Sequence, residues 1–459
     1  MSSNENSHTG KNQSGQKRPG TTFTLLAFSS GVLLLGILLG GSLWALAGLV
    51  AGASIFLNRF LAVTWAKCPI ATREGGDAEL KVGDLYDAKL TIENTSRLPI
   101  LWLLIEDVLP AWALIHDPPT LDVSGERMRV LLMRPKEKRV IRYRIRCRRR
   151  GYFQIGPTVL ETGDLMGLYR RFRLGAAPNY LTVLPKTINM DGYDISSRRP
   201  LGEIRMRNNV LEDPTRLRGI RQWQPGDPMR RVHWSATART GQLHSKVYEP
   251  TSIAGATIVL DFHTESNPLK HEPMRGDLAV TAAISIANTL HEQSQPFGLA
   301  TNGRDAADRI RTEGWRGDHR VRELAKQSAE MMESSDRLRP IVMEAARGTL
   351  HLAQMRSTLA RLERSDGMTL SQLLEECESR ISSETTLMAI IQRATPDTIG
   401  SLVSLSRRGR AVAVVVNTHE PTDFASVAAP LIASNIQTMH LTDEESIREL
   451  CKGMYLRTV

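Results

Sequence analysis

The feature that most constrains this chain is a run without an ionisable side chain, from Thr21 to Asn58. As one helix its roughly 38 residues would measure about 57 Å, whereas a hydrocarbon core of about 30 Å needs about 20 residues. Two short transmembrane helices joined near residues 40–42 fit this length, and a single tilted helix is the alternative. A cleaved signal peptide is disfavoured because its apolar segment is much shorter.

Basic residues lie on both sides of this run: Lys11, Lys17 and Arg18 before it, and Arg59, Lys67 and Arg73 after it. Because Lys and Arg are enriched in cytoplasmic loops, both ends are predicted to face the cytoplasm. A helical hairpin over 21–58 meets this condition, and a single span does not. We therefore expect a multi-pass protein of the cell membrane with the lipid bilayer as a partner, a disordered tail over 1–20, and the bulk of the chain in the cytoplasm.

Short alternating runs over about 75–175 predict a small antiparallel β domain, a sandwich or a barrel. The clearest run is 139–148, where four arginines alternate with Ile141, Tyr143, Ile145 and Cys147. A period of two indicates a strand with one face in the core and the other in solvent. Those arginines are interpreted as a solvated face; contact with phosphates or lipid headgroups is the alternative. We expect no nucleic-acid site.

Residues 253–459 alternate between strand and helix patterns. The apolar run Ala256 to Leu260 ends at Asp261 and is typical of a buried parallel strand. Further along, Thr395, Pro396 and Asp397 have the order of an N-cap, a first-turn proline and a first-turn acid. This pattern predicts a doubly wound α/β domain, on which the charged stretch 303–383 forms a helical insertion.

A dense block of aromatic, basic and turn-forming residues lies in the segment between these domains, 176–252. Cationic and aromatic groups this close together suit contacts with carboxylates. One interpretation is a scaffold, in which a buried Trp234 and an arginine–Asp227 pair clamp the segment. The other is direct contact with a partner. The residues of the block are Pro225, Gly226, Asp227, Arg230, Trp234, Ala238, Arg239 and Lys246.

This block resembles the signature of the bacterial domain of unknown function fifty-eight family, PGD-x-x-R-x-x-x-W-x-x-x-AR followed by a lysine. A second motif resembles the strand and turn that precede the signature in that family. Its residues here are Arg150, Gly151, Tyr152, Gly156, Pro157, Asp164, Gly167 and Leu168.

The resemblance implies a two-helix anchor, a β domain and a von Willebrand factor A-like domain. It also implies a MoxR-type AAA+ ATPase as partner, and a non-enzymatic adaptor or chaperone-like assembly factor acting on an unknown client protein. No cofactor is implied.

A metal site of the A-domain kind would need Asp-x-Ser-x-Ser after the first strand, because magnesium prefers hard oxygen ligands. Here His263 and Glu265 replace both serines after Asp261, so we expect a degenerate site and no metal. The four cysteines lack C-x-x-C spacing, which predicts neither disulfides nor a zinc site. No phosphate-binding glycine loop is present.

Two alternatives to the adaptor stay open. An enzyme would have its site around Asp227, His233 and Arg239. A basic module would bind lipid or nucleic acid through the net charge of +10.

Overall fold

The computed structural model describes residues 27, 29–34, 36–37, 42–110, 113–114, 118–164, 170–190, 212–224, 229–250, 255–313, 338–382 and 385–450. The chain divides into two compact units, and within the described ranges the first ends at Val183 and the second begins at Leu184. The predicted disordered tail, residues 1–20, lies outside the described residues.

The first unit begins with helical residues at 29–34 and a long helix, α1 (Ser42–Lys67). Among the described residues, one segment, Ala45–Lys67, is long and apolar enough to cross a membrane. The helix does not end at 58 as predicted but nine residues later, at Lys67. The reason is packing: Asn58, Ala62 and Trp65 share one face of the helix and are buried, so the helix continues into the domain that follows it.

Antiparallel strands make up the rest of the first unit. Their bounds are β1 (Pro69–Glu74), β2 (Ala78–Lys81), β3 (Leu85–Asn94), β4 (Ile100–Asp107), β5 (Leu121–Gly125), β6 (Met128–Met133), β7 (Lys138–Cys147), β8 (Gly151–Ile155), β9 (Thr158–Gly163), β10 (Arg170–Leu174) and β11 (Asn179–Leu184). The domain is therefore wider than the predicted 75–175, because β1 and β11 lie beyond both limits.

These strands form two four-stranded antiparallel sheets, β1-β3-β7-β5 and β10-β9-β4-β6, and a three-stranded sheet, β2-β11-β8. All three sheets contribute side chains to one core. The predicted alternation in β7 is confirmed: Ile141, Tyr143, Ile145 and Cys147 are buried, and the arginines between them are exposed. The amphipathic strands thus enclose a single apolar layer.

The second unit begins with a two-stranded ribbon formed by β12 (Glu212–Gln222) and β13 (His244–Pro250). Between these strands lie a short 3-10 helix, Met229–Arg231, and helix α2 (Trp234–Thr240). The segment predicted as a linker, 176–252, therefore contains regular structure.

An α/β fold follows the ribbon. Its elements are β14 (Ala256–Leu260), α3 (Met274–Glu292), β15 (Phe297–Thr301), β16 (Arg304–Asp305), α4 (Ala306–Glu313), β17 (Ile341–Ala346), α5 (Thr349–Arg361), β18 (Leu362–Glu363), α6 (Leu370–Glu376), β19 (Thr386–Ile391), α7 (Pro396–Arg407), β20 (Val412–Val416), α8 (Pro421–Ala433), β21 (Gln437–His440) and α9 (Glu444–Glu449).

Six of these strands form one sheet in the order β17-β15-β14-β19-β20-β21. Neighbouring strands from β15 to β21 are parallel, as predicted, but β17 is antiparallel to β15, so the sheet is mixed. The predicted helical insertion 303–383 therefore supplies an edge strand of the sheet. Apolar side chains of β14, β15, β19 and β20 form cores on both faces of the sheet. Thr395 caps α7 with Pro396 in its first turn, as predicted.

Candidate functional site

The signature block lies at the end of the β12–β13 ribbon, and we call residues 219–224 and 229–246 the signature tip. The Trp223 amide donates to the Leu243 carbonyl at 2.8 Å, and the His233 amide donates to the His244 carbonyl at 2.8 Å. Val232 forms a bridge with Ser245, and both residues are buried. These bonds fold the segment back on the ribbon, so the signature tip is a hydrogen-bonded structure rather than an open loop.

Large apolar side chains of the signature tip face solvent. Trp234 is 64% exposed, Met229 is 60% exposed and Leu243 is 39% exposed. Helix α2 has no buried residue. The expectation of a buried Trp234 is therefore wrong, because a seven-residue helix without a packed face cannot enclose an indole, and Val232 takes the buried position instead.

His233 is the N-cap of α2. Its Nδ1 accepts a hydrogen bond from the Ala236 amide at 3.1 Å, and the Ser235 hydroxyl lies 3.2 Å from the same nitrogen. An N-cap acceptor satisfies one of the free amides of the first turn. Because Nδ1 accepts, the ring proton of the neutral imidazole is on Nε2, and the base role suggested for His233 would have to break this cap.

The remaining signature residues fall in different places. Arg230 belongs to the 3-10 helix, Ala238 and Arg239 are exposed on α2, and Lys246 is on β13. The turn Pro225, Gly226 and Asp227 lies outside the described residues, as does the predicted pair between Asp227 and an arginine. Within the ranges of the signature tip there are five basic residues and no Asp or Glu: Arg221, Arg230, Arg231, Arg239 and Lys246.

The second motif lies in the β domain, around a buried ion pair between Arg73 and Asp107. The Tyr143 hydroxyl donates to Asp107, and the Thr158 hydroxyl donates to it at 3.2 Å. Gly156 has a φ of +91°, and a Cβ there would lie 2.5 Å from Nη2 of Arg73. Glycine is required at this position because any other side chain would strain the backbone and collide with the guanidinium of Arg73.

Other members of the second motif lie elsewhere in the same domain. Tyr152 on β8 stacks on Tyr180 with ring centroids 5.4 Å apart, and Trp102 donates to the carbonyl of the buried Asp164 at 3.3 Å. Arg150 and Gly151 lead into β8, and Pro157 precedes β9. Gly167 and Leu168 lie outside the described residues. The described part of this motif is architectural.

A polar edge is found at the carboxyl ends of the parallel strands. Each of four strands is followed directly by a buried acid or amide: Asp261 after β14, Asn302 after β15, Gln392 after β19 and Asn417 after β20. The strands β14 and β19 are neighbours from which the chain winds in opposite directions, the position where doubly wound folds bind ligands. This pattern of a polar residue after each buried strand was visible in the sequence, but only Asp261 was recognised there.

Asp261 is 3% exposed. Its Oδ1 accepts from the His263 amide at 3.0 Å and from Nδ2 of Asn302 at 2.9 Å. Its Oδ2 and Oε1 of Gln392 are buried without a hydrogen-bond partner in the described structure. Burial raises the pKa of Asp261, and the hydrogen bonds from Asn302, the His263 amide and Ser266 oppose that shift. A buried carboxyl without a cation partner favours its neutral form.

The described residues do not fit a magnesium site at this edge. No group of three or more His, Cys, Asp or Glu side chains there could hold a metal ion. One oxygen of Asp261 is already bound by two N–H donors, and Asn302, which contributes one of them, also accepts from the Phe262 amide at 2.7 Å. The groups around Asp261 thus hold one another rather than a cation.

Comparison with known proteins finds a family model that matches part of the second unit. A family model described as "Protein of unknown function DUF58" matches residues 219–417. The "Uncharacterized protein YeaD" of Bacillus subtilis (strain 168) is 23% identical over 238 residues, which are 51% of this chain and 56% of the relative. The match therefore spans little more than half of the relative's length.

Solved structures with some likeness cover about a quarter of the chain. The ASH/PapD-like domain of human CEP192 is 9% identical over 26% of this chain and 87% of its own, with a TM-score of 0.20. Alpha-2-macroglobulin from Escherichia coli is 14% identical over 27% of this chain and 9% of its own, with a TM-score of 0.19. At these TM-scores neither likeness supports an inference. What is shown is the match of residues 219–417, from the signature tip to the end of β20, to the DUF58 family model.

Proposed function

We propose that this protein is a membrane-anchored, non-enzymatic adaptor or assembly factor that works with a MoxR-type AAA+ ATPase on a client protein. The observation that carries the proposal is the exposure of Trp234, in a family signature, on a hydrogen-bonded tip. Trp234 is exposed together with Met229 and Leu243 of the same tip, and several large apolar side chains exposed on one element favour a protein contact there. The signature tip is thus the proposed contact with the ATPase.

The chemistry of the signature tip suits a protein partner. Tryptophan and arginine are the residues most enriched among those that dominate binding energy, and methionine is enriched at interfaces. Trp234, Met229 and Arg239 are all exposed there. With five basic side chains in its ranges and Asp227 in the turn between them, the tip has an excess of positive charge that would be complementary to an acidic surface.

Two close approaches support a transmembrane hairpin. A Cβ on Gly48 would lie 2.7 Å from the amide nitrogen of Leu33, and one on Gly52 would lie 3.5 Å from Oγ of Ser29. The later residue of α1 lies beside the earlier residue of 29–33, so the two helical segments run antiparallel. Glycines permit such close packing in membranes. With basic residues flanking both sides, the proposed topology is multi-pass with both ends in the cytoplasm.

The two alternatives have less support. The enzyme alternative needs His233 as a base, but its Nδ1 caps α2. The nucleic-acid alternative needs unneutralised arginines on β7 and just after it, but Arg144 pairs with Asp87 at 2.8 Å and Arg148 pairs with Asp122 at 2.7 Å.

The proposal is tested by binding of the full-length protein, in nanodiscs, to a purified MoxR-type ATPase of the same organism. We expect W234A to weaken the complex by about 2 kcal/mol, or roughly 30-fold, because a central aromatic contact is lost. The control L269A removes a side chain that is 77% exposed elsewhere in the second unit. Equal affinity of W234A and wild type, or absence of any complex, would overturn the proposal.

A further inference from the structure

Helix α1 and the β domain share one core. Trp65 is a member of the β domain's apolar core, and Leu61 packs against it. Nη1 of Arg173, on β10, donates to the carbonyl of Lys67 at 2.6 Å, and β1 begins at Pro69. One residue, Cys68, separates the helix from the first strand. The domain is therefore joined to the helix without a flexible linker.

The length of α1 fixes where the β domain must lie if this helix crosses a bilayer. The burial of Asn58, Ala62 and Trp65 starts at residue 58, which leaves residues 42–57 of the helix outside the domain. Sixteen residues span about 24 Å, less than the hydrocarbon core of about 30 Å. The membrane core must therefore reach the first turn that packs on the domain, and the neighbouring part of the domain falls at the level of the headgroups.

The residues at this level carry the side chains of a membrane interface. On α1, Arg59 and Lys67 are exposed, and Phe60 is 53% exposed. Strand β10 contacts α1; there Arg171 lies on the same face as Arg173, two residues away, and Leu174 is 67% exposed. Basic side chains beside exposed apolar ones are typical of surfaces that lie on anionic bilayers.

We propose that Arg59, Lys67 and Arg171 form a basic collar around the anchor that binds the phosphate groups of anionic phospholipids, with Phe60 and Leu174 in the adjacent interface. This inference rests on the proposed membrane anchor. It goes beyond the anchor because it assigns the β domain a second, headgroup-directed contact, which holds the domain against the bilayer surface.

The test compares wild type with R59Q/R171Q, both full length in nanodiscs, by native mass spectrometry with phosphatidylglycerol titrated into phosphatidylcholine. A basic residue at an anionic surface strengthens binding about fivefold, so the loss of two should weaken phosphatidylglycerol binding about 25-fold. The matched control is R142Q/R146Q, which removes two exposed arginines from β7, and its binding should equal that of wild type. Equal binding by wild type and R59Q/R171Q would overturn the proposal.

A second measurement does not depend on the charge variants. A spin label at L174C, in a C68S/C451S background, should be broadened by lipid-soluble oxygen more than by an aqueous nickel chelate, whereas V140C on β7 should show the reverse. Preference of both labels for the aqueous reagent would refute the interfacial position. Extraction of the protein from membranes by alkaline carbonate would instead refute the anchor itself, so the two failures are distinguishable.

Discussion

The β domain and the signature tip of the second unit differ in how their charged side chains are distributed. In the β domain, exposed basic residues face acids on neighbouring strands: Lys89 with Glu74, Lys138 with Glu93, Arg144 with Asp87 and Arg148 with Asp122. In the second unit, the signature tip has cations with no acid in its described ranges, and Asp261 is buried against neutral donors. Ion pairs within a domain serve its architecture, whereas a surface with an excess of one sign of charge suits a partner of the opposite sign.

The largest expected effect comes from removing Arg73 from the buried ion pair that it forms with Asp107 in the β domain. Asp107 is completely buried, and R73A would leave it without its cation at a cost of about 3 to 5 kcal/mol. We expect the β domain to unfold at markedly lower denaturant concentration, measured by circular dichroism of the full-length protein in detergent. Stability equal to that of wild type would mean that the ion pair does not stabilise the β domain.

An effect of intermediate size is expected at Asp261, where stability should depend on pH. Burial raises its pKa in the folded state, so between the unfolded and folded pKa values the native state binds more protons, and stability falls as pH rises through that window. D261N should therefore raise the melting temperature near neutral pH, and the gain should shrink as acid protonates the wild-type carboxyl.

The matched control for D261N is D397N, in the exposed first turn of α7, which should show no such gain. Magnesium should leave wild-type melting unchanged, because the groups at Asp261 already bind one another. A gain for D261N that grows in acid, or a saturable magnesium isotherm, would contradict the proposed neutral carboxyl.

The smallest expected effects concern exposed arginines. Arg144 and its partner Asp87 are 66% and 75% exposed, and pairs of this kind contribute less than about 1 kcal/mol. R144A and R239A should therefore both melt within a few degrees of wild type, although only R239A should lose ATPase binding. A large drop in melting for R239A would restore the scaffold interpretation of the signature block.

Local rules predicted much of the fold from sequence. Alternation in β7 and the apolar run of β14 depend on burial of one or both faces of a strand, and Thr395 caps α7 through bonds within four residues. The edge strand β17 was missed because its pattern of partly exposed residues is weak and its partner, β15, lies about forty residues away. The end of α1 was misplaced because it is set by contacts with the β domain rather than by hydropathy.

The candidate sites, like the fold, were predicted only in part from the sequence. The signature residues were identified from the sequence. The exposure of Trp234 was not, because a large apolar side chain is expected in a core unless the elements around it are known. Asn302, Gln392 and Asn417 were overlooked because the polar edge brings together residues that are distant along the chain. Their shared position after a buried strand is the signal that could have found them.

The short junction at Cys68 also bears on whether the β domain could be cut free of the proposed anchor. Proteolytic cleavage is concentrated at exposed, poorly ordered segments of the backbone. Between the last turn of α1 and β1 there is one residue, and its neighbour Pro69 is buried and paired in a sheet. Under the proposed membrane anchor, the described junction therefore offers no extended segment between α1 and β1 at which a protease could release the β domain intact.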